Sequence, residues 1–439
     1  MTDLLNLAKD ILLIAKRNGA TAADAIVGEG RDTSISVRNG EVENLEQAEA
    51  REATVRVFVG QSSTSMSGSV LTRDSLERLV ARAVDMARLA PPDPHAGLAD
   101  PSQLATTFPD IDVASDDAIT ADQLRDRALE AERVALAVPG VTKSNGAGAS
   151  SYAGRSAMAA SNGFERISRR TSVGNSVSVI AGDGAAMERD YDGHGAVYWS
   201  DLEPAEKIGL TAGKRATRRL NPRKIDSQTV PVMFDRRIST SLIGHLTGGI
   251  NGAAIARGTS FLKDDLGRRL FAGSVTIIDD PLRKRGLASR AVDGEGLPVQ
   301  RRALIDKGIL TNWILDLRSS RQLQLPPTGQ GGRNSPATSN VHMEPGTRSP
   351  EEMLKAIGTG FLVTEFIGSS INMVTGDYSR GASGYWIESG ELAYPVSGVT
   401  IAGNLRAMFA ALEPANDLIF RSSTVAPSCF LGEMTLAGR

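Results

Sequence analysis

The side chains that could do chemistry are few and far apart. The chain has four histidines, His95, His194, His245 and His342, and no two sit at ligand spacing. A zinc hydrolase helix needs two imidazoles on one face and a carboxylate base beside them. His245 is followed by Leu246, and no second histidine lies near it in any register. There is no Gly-x-Ser-x-Gly motif to mark a serine nucleophile on a sharp turn. Cys429 is the one cysteine, and it has no histidine close by in sequence. A solitary cysteine reads first as a small apolar residue. The carboxylate pairs Asp264-Asp265 and Asp279-Asp280 suit helix ends and turns. Gly329-Gln330-Gly331-Gly332-Arg333-Asn334-Ser335 could cradle an anion through its amides, but it lacks the Gly-Lys-Ser/Thr ending of a phosphate loop. A plain flexible loop is the favoured reading.

The densest chemistry lies in Gly376-Asp377-Tyr378-Ser379-Arg380-Gly381-Ala382-Ser383-Gly384. Its glycines read as a polar loop. The hairpin after it, Tyr385–Glu388 and Leu392–Tyr394 around Ser389-Gly390, would hold that loop in place. Asp377, Tyr378 and Arg380 are the residues expected to contact a ligand or partner. Bracing of the loop through local hydrogen bonds is the equal alternative.

The elements that must position these residues fall into a repeated order. Leu4, Leu7, Ala8, Ile11 and Ala15 make one face of a helix to Arg17, closed by Asn18-Gly19. Strands follow around an Arg38-Asn39-Gly40-Glu41 turn, with Ala53–Val59 alternating. A second helix spans Arg73–Ala90 and stops at Pro91-Pro92-Asp93-Pro94, a linker. Thr120 and Gln123 then form a capping box for a third helix. A Ser161-Asn162-Gly163-Phe164 turn, a strand at Ser176–Ile180 and a helix over Pro204–Arg219 complete the second round. The expected fold class is α+β: two similar N-terminal α+β lobes (helix, β-hairpins, helix), followed by a β-rich C-terminal domain. The ranges are 1–95, 116–225 and 230–439.

In the third region, Val230–Asp235 reads as a strand and Ile238–Ala256 as one helix rich in small residues. Strands are expected near Val275–Ile278, Leu310–Leu315 and Phe361–Ile367, with a polar loop from Pro326 to Ser339. Ser349-Pro350-Glu351-Glu352 starts a helix.

Composition narrows the classes of function. Apolar residues make up 41% of the chain, enough for sizeable cores. The net charge of −2, with Lys and Arg spread along the chain, gives no nucleic-acid footprint. The short run Arg215–Arg223 suits a helix end. No apolar run approaches the ~20 residues of a membrane helix. Met1–Asn6 carries no basic run, so no signal peptide is expected. One cysteine fits a reducing compartment, and a cytoplasmic location is expected.

Thr375–Ala382, Trp386-Ile387-Glu388, Pro395-Val396 and Thr400–Leu405 resemble the C-terminal region of the TldD/PmbA family, on its TldE (PmbA) side. Gly244-His245-Leu246 through Arg257–Leu262 is similar to the family's central helix and the segment after it, and the resemblance runs over essentially the whole chain. It implies a heteromeric metallopeptidase acting on unfolded or short peptides. TldD-type chains carry His-Glu-x-x-x-His and a C-terminal cysteine that bind the catalytic metal. TldE-type chains lack that motif. Here His245 stands at the first histidine, Leu246 at the glutamate and Ile250 at the second histidine. Cys429 falls roughly at the cysteine, in dissimilar surroundings. The resemblance therefore implies no catalytic residue and no metal on this chain, with zinc on a TldD-like partner and extended peptides as substrates. A homodimer could form without the partner. Two other readings stay open: an independent homodimeric peptidase, and a non-enzymatic binding protein or modulator of DNA gyrase.

Overall fold

The computed structural model describes residues 3–438. Met1, Thr2 and Arg439, at the ends of the outer ranges above, lie outside it. The first unit is α1 (Leu4–Arg17), β1 (Ala22–Arg38), β2 (Glu41–Val59), β3 (Ser62–Gly68) and α2 (Arg73–Leu89). The second is α3 (Ala121–Leu136), β4 (Val141–Ala160), β5 (Glu165–Ala181), β6 (Glu188–Ala196) and α4 (Ala205–Arg218). Both units pool their strands into one antiparallel sheet, ordered β3-β2-β1-β4-β5-β6.

Strand alternation shows how the two cores share that sheet. Ala25 and Val27 of β1 are buried with α1 and α2, whereas Ile35 and Val37 of the same strand are buried with α3 and α4. The stretch between lies over neither helix pair. At the far end, Asn39 and Gly40 take φ of 56° and 82°, which the tight turn requires. Their amides donate to the two oxygens of Glu132 on α3, at 2.9 and 2.8 Å. A helix of the second unit thus holds the hairpin tip of the first. The capping box of α3 is formed as expected, with Gln123 N donating to Thr120 Oγ1 at 3.2 Å and Thr120 N to Gln123 Oε1 at 2.9 Å.

The C-terminal region begins with β7 (Gln228–Phe234), α5 (Arg236–Gly249) and α6 (Gly252–Ala256). It continues through β8 (Ile277–Asp279), β9 (Arg302–Asp306), β10 (Ile309–Leu310), α7 (Leu317–Leu323), β11 (Val341–Met343) and α8 (Pro350–Ile357). It closes with β12 (Gly360–Ile371), β13 (Asp377–Glu388), β14 (Glu391–Asn404), α9 (Leu405–Ala411), β15 (Glu413–Pro414), β16 (Thr424–Val425) and β17 (Cys429–Ala437). These strands form a six-stranded sheet, β14-β13-β12-β7-β17-β15, and a five-stranded sheet, β10-β9-β8-β11-β16. Helix α5 lies in the core they share, with Leu242, Ile243 and Leu246 buried.

Four expectations are corrected. The Ile238–Ala256 helix is two helices, broken at Ile250-Asn251, where Asn251 caps α6 by accepting from Ala253 N at 3.0 Å. A side chain at Gly252 would meet Ser319 and Leu315, so the break lets the backbone press against α7. The stretch 377–384 is not a loop but the first part of β13; Gly384 lies so close to the Leu362 carbonyl that a side chain would overlap it. Of Leu310–Leu315 only Leu310 is strand, because Ile314 N is drawn aside to Ile250 O at 3.0 Å. The strand expected at Val275–Ile278 starts two residues later, at Ile277.

The units are joined through charged groups that meet across their seams. Asp24, fully buried on β1, accepts from Arg56 Nε at 2.7 Å and from Arg333 Nε at 2.8 Å. Arg237 at the start of α5 donates to Asp190 of β6 at 2.7 Å. Arg219, just past α4, pairs with Glu365 of β12. Arg421 bridges Asp192 and Glu203 at 3.0 and 2.9 Å. The glycine-rich loop before Ser335 does hold a carboxyl group, and that group belongs to the protein: Gly331 N donates to Asp293 Oδ2 at 2.9 Å.

Candidate functional site

Helix α5 begins where Asp235 accepts from Arg237 N at 2.9 Å, and its apolar face is buried. His245 sits on the flank of that face, one turn before the helix ends. Strand β13 supplies what faces it. Side chains two apart on a strand share a side, so Tyr378 and Arg380 point together and Asp377 points away. The Tyr378 ring meets the His245 imidazole edge-on, with centroids 5.8 Å apart and planes at 76°. The Arg380 guanidinium lies over the Phe366 ring of β12, 4.1 Å from its centroid, and its Nε donates to Gly368 O at 3.1 Å.

Electrostatics follow from this packing. Burial, reinforced by the charge of Arg380, lowers the His245 pKa to about 4, so the imidazole is neutral at pH 7. Burial pushes the Tyr378 phenol well above its usual range, while the adjacent Arg380 pulls the other way. Tyr378 Oη and His245 Nε2 are both buried and have no well-formed hydrogen bond. Groups of that kind are uncommon in folded proteins.

Asp377 is apart from this cluster. It accepts from Thr375 Oγ1 at 2.6 Å and Asn404 Nδ2 at 3.2 Å, which hold its carboxyl below the usual range. It braces the 372–376 turn. The structure therefore brings together His245, Tyr378 and Arg380 of the expected residues and separates Asp377. Phe366 and Gly368 were not singled out from the sequence. The i, i+2 relation of Tyr378 and Arg380 was a usable signal, hidden by reading the segment as a loop.

The donor set does not fit a catalytic zinc. Leu246 and Ile250, the next residue and the one five positions after His245, are buried in the apolar core. Cys429 is fully buried, with Sγ 3.3 Å from Pro427 O and 3.8 Å from Met343 Sδ, and burial raises its thiol to about 12. It lies beside Ser239, roughly 9 Å along α5 from His245 at 1.5 Å per residue. No cluster of three His, Cys, Asp or Glu able to hold a metal occurs among the described residues. Two of the other imidazoles have local roles: His194 Nδ1 accepts from Glu203 N at 3.1 Å, and His342 stands edge-on to Phe420, centroids 5.2 Å apart.

The family models for the PmbA/TldA metallopeptidase match this chain three times: domain 1 over residues 23–87, the central domain over 114–220 and the C-terminal domain over 227–438. The chain belongs to the PmbA/TldD family. It is 37% identical to the metalloprotease PmbA of Escherichia coli O157:H7, over 98% of this chain and 94% of that one. It is 34% identical to a PmbA homologue of Haemophilus influenzae, over 97% and 94%. A solved structure from Bacteroides thetaiotaomicron, described as a modulator of DNA gyrase, superposes with a TM-score of 0.92 at 27% identity, covering 99% of this chain and 98% of that one. TldE from Thermococcus kodakarensis shares the fold, with a TM-score of 0.87 at 18% identity, covering 98% and 100%. No helix among the described residues is long and apolar enough to cross a membrane.

Proposed function

We propose that this chain is the TldE-type subunit of a heteromeric TldD/TldE metallopeptidase, with the zinc and the hydrolytic chemistry on a TldD-like partner. One observation carries this reading. The place where a family metal helix would present two histidines and a glutamate holds one neutral imidazole, two aliphatic side chains and the cationic Arg380. A divalent cation needs anionic or lone-pair ligands in a closed set, and here it would meet a guanidinium instead.

The role assigned to this chain is steric and directional. It closes a cleft around the partner's centre and aligns an extended peptide, for which an unpaired strand edge offers main-chain hydrogen bonds. Tyr378 and Arg380 are the assigned contacts for peptide or partner. The names of the curated relatives support peptidase chemistry in the complex. A cytoplasmic complex is the corresponding location.

The test is co-purification with a TldD-like chain, followed by metal analysis and peptide cleavage by each component and by the mixture. Cleavage by the mixture alone, with zinc on the partner, is the expected result. Chelator-sensitive cleavage by this chain alone would replace the proposal with an independent peptidase. Binding to gyrase, with no cleavage by the mixture, would replace it with the modulator reading suggested by the Bacteroides relative.

A further inference from the structure

We infer that the cluster of Arg380, Tyr378 and His245 is a carboxylate-binding site that receives the free C-terminal carboxylate of an extended peptide. This rests on the reading above only in taking peptide as the ligand class.

The first argument is an unpaired charge. The seam arginines Arg219, Arg237, Arg333 and Arg421 each have a carboxylate partner. Arg380 has none among the described residues. Its Nε donates to the Gly368 carbonyl, its plane lies over Phe366 and the Tyr378 hydroxyl stands beside it, so its neighbours are neutral groups. The nearby Asp377 is turned to the other face of β13 and held by Thr375 and Asn404.

The second argument is the chemistry of Tyr378 Oη and His245 Nε2. A phenol hydroxyl donates, and a neutral imidazole donates from Nε2 when the proton is on that nitrogen. Together with the guanidinium, that makes three donors and no anionic acceptor. An ionised carboxylate is acceptor-only and accepts two donors of a guanidinium at once. A ligand of this kind, reaching them past the Arg380 side chain, would give Tyr378 Oη and His245 Nε2 the well-formed hydrogen bonds that these buried atoms lack.

The third argument sets the position of the carboxylate in the peptide. Strand β7 pairs with β12 only through Phe361–Val363. Past that point the outer edge of β12 has no strand beside it among the described residues. The ladder of β12 with β13 is then interrupted between Ile367 and Ser370, where Gly368 has a φ of 68° and its carbonyl is held by Arg380. A peptide added along Glu365–Ile367 loses its regular partner at that bulge, beside the Arg380 guanidinium. The group delivered there is the end of the main chain. Ile367 and Val374, 61% and 59% exposed, offer apolar contact to its last side chains.

The test uses the purified full chain without any TldD-like partner. A fluorescein-labelled hexapeptide of alanine and valine is titrated by anisotropy as the free acid and as the C-terminal amide. The free acid should bind about tenfold more tightly, the worth of a charge-assisted hydrogen bond. R380Q should bring the acid down to the affinity of the amide, and R380K, which keeps the charge but not the fork, should fall between. Thermal unfolding of each variant shows that it is folded. Acetate at a hundredfold excess should not displace the peptide; displacement would assign the cluster to small carboxylates and overturn the peptide. Equal binding of acid and amide, or a preference that survives R380Q, would overturn the site. Because no cleavage is measured, the outcome is separate from that of the heteromer assay.

Discussion

The phenol of Tyr378 stands edge-on to the imidazole of His245 at 5.8 Å, and neither buried polar atom has a well-formed hydrogen bond. Two such atoms in one place cost stability. An unsatisfied buried donor or acceptor is worth about 1–3 kcal/mol against folding. Replacing Tyr378 by Phe keeps the ring and removes one of them. The variant should be as stable as the parent or more stable by about 1 kcal/mol in urea unfolding. A loss of that size instead would mean that the hydroxyl is bonded through ordered water.

His245 should tie stability to acidic pH. Its folded pKa of about 4 lies below the ordinary 6.5, so the unfolded chain binds the proton first as pH falls. Its contribution is complete above about 6.5 and is lost as pH drops toward 4. His194 and His342 are lowered by burial as well, so the whole-protein curve mixes several groups. The difference between the parent and His245→Gln isolates one. Between pH 7 and pH 5 the parent should lose on the order of 1–2 kcal/mol more than the variant. Parallel curves would show that the imidazole is solvated.

Glu295 acts in the opposite direction. Burial raises its carboxyl to about 8, against the Leu317 amide that donates to it at 2.8 Å. The folded protein therefore holds a proton that the unfolded chain releases above the ordinary 4.5. Stability from this group is present below that value and falls as pH rises through 8. Glu295→Gln, which keeps an acceptor for Leu317, should gain on the order of 2 kcal/mol over the parent at pH 8 and show a flatter profile from pH 6 to 9. Identical slopes would be evidence that the carboxylate is ionised.

Asp24 joins the first unit to the C-terminal region. It is fully buried and faces Arg56 and Arg333, themselves mostly buried. Asp24→Ala leaves two guanidinium groups without their shared anion. A loss of about 3–5 kcal/mol is expected, the usual result of removing one partner from a buried pair. The additional substitution Arg333→Met should recover part of it. Losses that simply add would show that the groups are not coupled.

Some of this was legible because local chemistry settled it. Helix α1 runs from Leu4 to Arg17 as its apolar spacing predicts, since that face has one side to bury. The Asn39-Gly40 and Ser389-Gly390 turns form because each needs two left-handed residues in succession. Other elements escaped local rules. Glycines at 381 and 384 suggested a loop, but there they admit the backbone of β12, which is a fact about a neighbour. The Gly-rich run after His245 suggested one continuous helix, but α7 presses on Gly252 and Asn251 caps a new start.

The amino-acid sequence by itself determined the family, the α+β class and the shortage of metal ligands on this chain. A histidine, a glutamate and a second histidine at fixed spacing are local facts, and their absence is readable without coordinates. Only the tertiary structure decided what replaced them. Helix α5 and strand β13 are more than a hundred residues apart, and His245, Tyr378 and Arg380 become one cluster only when a sheet and a helix pack face to face. Burial then makes the imidazole neutral and leaves the guanidinium unpaired, because desolvation and pairing depend on what surrounds a group in space and not on what precedes it in the chain.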